Sequence, residues 1–161
     1  MNRCSHRIRK LINVCLNAEY PESRQAFKGM EQAVREALAA GGIADMTTIG
    51  RRSALPRRIE IYFHNFDGDL YIGGRPGFKR DWLANLIVRP EFTLHLKRGV
   101  QADVAVVATE VTDPDKRRRV FFRMLTESWR SDPDKARSVL DRYVTDSPLV
   151  KVEVVNQAAG P

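Results

Sequence analysis

Two glycine-and-arginine turns stand within residues 47 to 85, TTIGRRSALPRRIEIYFHNFDGDLYIGGRPGFKRDWLAN. Backbone amides at a glycine turn or a helix N-terminus bind anions, and arginine or lysine beside them adds charge and donors. Arg51, Arg52, Arg57 and Arg58 flank the first turn; Arg75, Lys79 and Arg80 flank the second. This grouping calls for a phosphate or a carboxylate tail as ligand. Gly73, Gly74 and Gly77 permit close backbone approach, and Pro76 fixes the loop between them. A single arginine is ordinarily a solvated surface residue, so the weight rests on clustering at two turns, the second of which opens a helix.

Other residues could do chemistry but carry less. Tyr62 and His64 alternate on one strand face, where they would line a planar ring or the barrel interior. His95, in TLHLK, reads as a packed or edge histidine. Trp129 and Tyr143 fall on helices and could wall a pocket, although aromatic stripes at helical spacing usually mean core. No Ser-His-Asp order, HExxH, CxxC or Walker loop is present, so hydrolase and kinase chemistry have little support, and no metal is expected. The run Lys116-Arg117-Arg118-Arg119 reads as the solvated face of a helix; without interleaved aromatic residues it does not make nucleic acid a partner.

The elements that must position these residues are set by periodicity. Residues 22 to 40 place Phe27, Met30, Ala33, Val34 and Leu38 at helical spacing, and Gly41-Gly42 stops that helix. Strands are expected over 44–49, 57–66 and 70–73, with Asp67-Gly68 as a hairpin turn between the last two. A helix over 78–88 carries Trp82, Leu83, Leu86 and Ile87, and Arg89-Pro90 ends it. A second hairpin joins 91–97 to 101–111 around Arg98-Gly99. Thr112-Asp113-Pro114 opens a helix through 130 with the stripe Val120, Phe121, Met124, Leu125 and Trp129; Ser131-Asp132-Pro133 opens another through Tyr143. LVKVEVV then alternates as a closing strand. Six antiparallel strands that close on themselves, with helices at the start, middle and end, predict an α+β chain built on a small β-barrel.

A chain of 161 residues fits one domain, expected over 21–156 behind a flexible N-terminal arm at 1–20. The formal charge of +7, from 27 Lys and Arg against 20 Asp and Glu, favours anionic partners without choosing among them. No apolar run approaches the roughly 20 residues of a bilayer span, and the apolar patch LINVCL is too short for a secretory signal. Cys4 and Cys15, with no CxxC spacing, fit reduced thiols and a cytoplasmic protein.

Taken in order, TTIGRRSALPRRIEIYF, the Asp67-Gly68 hairpin, GGRPGFKRDWLANLIVRPEFTLHLKRG and SPLVKVEV resemble the deazaflavin (F420)-dependent nitroreductase family. That family shares a split β-barrel with flavin mononucleotide (FMN)-binding and pyridoxamine phosphate oxidase-like proteins. The likeness covers roughly residues 40 to 155. It departs at Ala54, where the family usually has Gly, in the short loop GRPGFKRD, and at Arg89, where Asn often precedes Pro. The resemblance implies a six-stranded split β-barrel with flanking helices and an F420H2-dependent oxidoreductase, with FMN as the alternative cofactor. The hydride acceptor would be a quinone, a nitro compound or an activated alkene. Thr48, Gly50, Arg51, Arg52, Arg58, Tyr62, Gly73, Gly74, Arg75, Gly77, Lys79, Arg80, Trp82 and Asn85 would then hold the cofactor, Trp82 being also a core candidate and Asn85 a donor to a ring or ribityl oxygen. No dedicated acid is visible; Tyr62 and Tyr143 are the protein groups able to give a proton. Relatives also make a homodimer across the barrel face the expected assembly. A non-catalytic module holding a flavin- or haem-like ligand on the same barrel fits the missing acid equally.

Overall fold

Strands that bury every second side chain need a closed surface to bury them in, and here the closure is complete. The structure, a computed structural model, describes residues 21–155 apart from Lys79. The expected arm over 1–20, with Cys4 and Cys15, lies outside the described residues, as do the side chains of Phe27 and Met30. Among the described residues, β1 (Gly42–Ile49), β2 (Pro56–Phe66), β3 (Asp69–Gly73), β4 (Glu91–Leu96), β5 (Ala102–Glu110) and β6 (Leu149–Val154) form a barrel in the order β1-β2-β3-β6-β5-β4. Every neighbouring pair is antiparallel. Its interior is the alternate set predicted by pattern: Ala44, Met46, Phe63, Ile72, Leu94, Val106 and Val152 are all buried there. Closure leaves no unpaired edge to aggregate.

Two helices stop the ends of this cylinder. α1 (Pro21–Ala40) packs Val34, Ala37 and Leu38 on the barrel core, and the Leu38 carbonyl accepts a 3.1 Å bond from Asn65 Nδ2. α2 (Asp81–Val88) inserts Trp82, Leu83 and Leu86 from the other end. It begins three residues later than the spacing predicts, because Gly77 sits at φ +83°, outside the helical region, and Arg80 is still extended. The Asp67-Gly68 turn has φ of +57° and +93°, both left-handed as a two-residue hairpin of this twist requires.

A second apolar layer lies outside the barrel. α3 (Pro114–Arg123), the turn that follows it and α4 (Pro133–Asp146) pack Phe121, Met124 and Leu140 on Phe66, Tyr71 and Leu149 of the sheet. Both helices carry Pro in the first turn and an Asp N-cap, Asp113 and Asp132, whose side chains accept backbone N–H bonds. The single helix expected to residue 130 is instead α3 followed by a π turn over Met124–Ser128. The chain then leaves through Arg130 at φ +51°.

Ala54 also lies in the left-handed region, at φ +56°. An L-residue there carries a strain of about 1–2 kcal/mol that Gly escapes, less the about 0.4–1 kcal/mol by which Gly favours the unfolded chain. Ala54→Gly is therefore expected to stabilise the protein by about 0.5–1 kcal/mol in a urea titration. A destabilised variant would contradict this account of the turn.

Candidate functional site

The strand directions put the C-termini of β1 and β3 and the N-terminus of β2 at the barrel end that α2 closes, so both glycine turns meet there. The first turn is tightly wound: Gly50 N–H donates to the Leu55 carbonyl and Ala54 N–H to that of Gly50, each at 2.8 Å. A Cβ on Gly50 would lie 2.5 Å from Ser53 Oγ, so a larger residue there would have to turn the Ser53 side chain aside. The turn is tied to α2 by Asn85. Its Oδ1 accepts from Arg51 N–H at 3.0 Å, and its Nδ2 donates to Thr48 Oγ1 at 3.2 Å. Thr48 and Asn85 are both buried, so these two expected ligands of the cofactor fix the shape of its cradle from within.

Around that cradle the arginines divide. Arg51 pairs with Asp81 at 3.1 Å, an exposed pair of little energetic weight. Arg58 turns to the outer wall, where with Lys97 it binds Asp45 and holds that carboxyl below its usual range; the Lys97 bond is the larger cause. Arg52, Arg57 and Arg75 are exposed and have no acidic partner among the described residues. In the second turn the Gly74 N–H donates to the Pro148 carbonyl at 3.1 Å, and a Cβ on Gly74 would come within 2.8 Å of the Pro148 ring. Lys79 lies outside the described residues. Unmatched cations at two tightly wound glycine turns suit an anionic cofactor with a phosphate and an acidic tail. The residues present therefore fit F420.

A row of aromatic side chains is drawn from elements far apart in sequence. Tyr62 and His64 stand on the outer face of β2 with ring centroids 4.8 Å apart. Trp129 meets His64 edge-on at 6.0 Å and Tyr143 at 5.9 Å. His64 is 2% exposed; Ser128 Oγ of the π turn lies 2.7 Å from its Nδ1, and burial pushes its pKa down to about 4. The imidazole is thus neutral at physiological pH. Tyr62 is 43% exposed and Trp129 38%, so the row offers an open aromatic face rather than core. Trp82, by contrast, packs on the barrel core, in line with its core reading. His95 bridges strands on the opposite wall, between Thr47 Oγ1 at 2.8 Å and Asp103 Oδ1 at 2.6 Å, away from the cradle.

A concavity of about 620 Å³ lies elsewhere. It lies between Arg80 and Leu83 on one side and the β5–α3 and α4–β6 connections on the other, and of the expected site residues it includes Arg80 alone. Arg117, which the sequence placed on a solvated basic face, is buried at its wall. Arg117 Nε donates to the Val144 carbonyl at 2.7 Å and Nη1 to that of Val111 at 2.8 Å; Nη2 donates to that of Ser147. A signal was available: Arg117 precedes Val120 and Phe121 by three and four residues, which sets it on the apolar stripe.

Comparison with known proteins is consistent with this geometry. No protein of curated function matches the chain. Among solved structures, Rv2991 from Mycobacterium tuberculosis is similar with a TM-score of 0.61 at 18% identity, over 78% of this chain and 80% of that one. General Stress Protein 26 from Bacillus anthracis str. Sterne gives 0.52 at 14% identity, over 77% and 88%. A Clostridium acetobutylicum protein described as related to general stress protein 26, of the pyridoxinephosphate oxidase family, gives 0.50 at 10%, over 77% and 80%. At such identities the likeness is one of fold, and the fold is the expected split barrel. The sequence model described as F420H(2)-dependent quinone reductase matches residues 21–155, which takes in both turns, the aromatic row and all six strands. That match selects F420 over FMN, and with it the chain belongs to the F420H(2)-dependent quinone reductase family and is an F420-dependent oxidoreductase.

Proposed function

We propose that this oxidoreductase reduces a quinone, with the cofactor held over the two glycine turns and the acceptor against the aromatic row. The observation that carries the reading is the open aromatic face of Tyr62 and Trp129 on the same barrel as three arginines that are unmatched among the described residues. When bound, F420H2 supplies a hydride. Arg52, Arg57 and Arg75 would hold its phosphate and acidic tail, while Arg51 and Asn85 keep the first turn in shape. Tyr62 and Trp129 present flat apolar surface that suits a planar, electron-poor ring better than a small nitroalkane or alkene. Reducing a quinone to a hydroquinone takes one hydride and one proton. Neither the Tyr62 nor the Tyr143 hydroxyl is bonded to another described residue, so either is free to give that proton to the acceptor oxygen. Neutral His64 fixes Tyr62 and Trp129 between strand and π turn without placing a charge beside the ring.

Among the described residues no helix is long and apolar enough to cross a membrane. A cytoplasmic enzyme and a homodimer across the barrel face belong to the same proposal.

The test is a titration and an assay. Arg52→Ala and Arg57→Ala are each expected to weaken F420H2 binding by about tenfold or more, the loss of one charged hydrogen bond. The effect should shrink as salt rises. Oxidation of F420H2 by a soluble quinone should exceed that by a nitroaromatic or an enone of similar potential. Unchanged F420H2 affinity in both variants would remove the cradle, and a preference for the nitro compound would overturn the acceptor.

A further inference from the structure

The cavity of about 620 Å³ holds Arg80 alone of the residues expected to bind the cofactor, and its lining is not that of an idle gap. Buried polar atoms are nearly always hydrogen-bonded, and exceptions call for an explanation. Among the described residues two buried side-chain atoms lack a partner, Arg80 Nε and Ser147 Oγ, and both residues line this cavity. Ser147 is 4% exposed, which makes it a group shielded from water yet unmatched by protein. Arg117 stands in the same wall, 8% exposed, with its three bonds all to neutral carbonyls. Neither Arg80 nor Arg117 has a carboxylate in ion-pair contact among the described residues.

We propose that this cavity is a second ligand site, which binds a small monocarboxylate carrying an apolar body. A carboxylate accepts more than one donor, and Arg80 Nε and the Ser147 hydroxyl are donors without partners in this wall, under the charge of Arg117. Phe78, Leu83, Val144 and Pro148 give the apolar part of the wall. Glu110 and Asp146 lie on the exposed rim and set a limit on charge. Against two guanidinium groups they leave the lining without net charge, which opposes a phosphate dianion or a polycarboxylate more than a single carboxylate. The volume falls within the usual range of small-molecule sites. The site shares no residue with the aromatic row, and it shares Arg80 alone with the residues expected to hold the cofactor.

The probe is octanoate, titrated by calorimetry into the full chain, with octanol and inorganic phosphate as comparisons. Octanoate is expected to bind at millimolar concentration or below, about tenfold or more tightly than either comparison. Ser147→Ala and Arg80→Met are each expected to weaken it by about tenfold or more. Since Ser147 Oγ makes no bond, Ser147→Ala should melt at the wild-type temperature, so its loss of binding cannot be ascribed to misfolding. Equal binding of octanol would show a merely greasy pocket, and equal binding of phosphate would show the wrong anion. Either result, unchanged affinity in Ser147→Ala, or no heat from octanoate up to about 10 mM, overturns the proposal.

Discussion

Replacing Arg117 by Ala is expected to destabilise the protein by about 3–5 kcal/mol, the largest stability effect of any single side chain outside the two apolar cores. Arg117 Nε and Nη2 cap the carbonyls of Val144 and Ser147 at the C-terminus of α4, where helix geometry leaves acceptors without partners, and Nη1 holds the Val111 carbonyl at the end of β5. Three chain segments distant in sequence are thereby fixed on one fork. Burial lowers the guanidinium pKa, with Glu110 opposing, yet the group stays a cation because arginine starts so far above neutrality. Truncation leaves three buried carbonyls without this donor and removes the guanidinium that lies over Phe121, its carbon 5.5 Å from the ring centroid. Arg117→Lys keeps the charge but cannot span three acceptors, so it should recover less than half of the loss. Urea titrations of wild type, Arg117→Ala and Arg117→Lys measure this. A loss below about 1 kcal/mol in the alanine variant would mean that water meets the carbonyls as well as the side chain does.

Arg117 also shows where sequence reasoning stops. The barrel was legible because alternation is local: each strand declares its inward set within a few residues, and Asp67-Gly68 admits one kind of turn. Charge runs are read as solvated faces, and that habit hid a buried residue inside Lys116–Arg119. The carbonyls that bury it come from 27 and 30 residues downstream, beyond any local window. Asn85 is a parallel case. Its spacing from Trp82 was visible, but its bonds to Arg51 and Thr48 cross 34 and 37 residues. The aromatic row was hidden for another reason. A helix continued through residue 130 would leave Trp129 on the stripe with Met124 and Leu125, inside the core. The π turn adds one residue to the winding and so rotates the chain beyond it by about 100°. Trp129 therefore swings out to meet His64 and Tyr143. That extra residue is held by the packing of α3 and α4 on the sheet, not by a motif of its own.

His64 should make this protein acid-sensitive in a window set by one side chain. In the unfolded chain it titrates near 6.5, and in the fold burial moves it to about 4. Between those values the unfolded state binds a proton that the native state refuses, so stability is highest above pH 6.5 and falls as pH drops toward 4. Each pH unit in the window is worth about 1.4 kcal/mol, which amounts to about 2 kcal/mol at pH 5. Asp45 and Asp69 have depressed pKa values that their lysine partners, Lys97 and Lys151, chiefly cause, and their contributions are lost at lower pH, as those carboxylates take up protons. The His64 window is therefore separable by mutation. His64→Phe retains a ring against Phe66, 5.7 Å away, and against Trp129, while removing the titrating group. Ser128, deprived of its imidazole partner, can bond a carbonyl one turn back. Wild type is expected to lose about 2 kcal/mol more than His64→Phe between pH 7.5 and pH 5 in paired urea titrations. Equal losses would show that His64 takes up its proton inside the fold, and that the acceptor face beside Tyr62 carries a charge in acid.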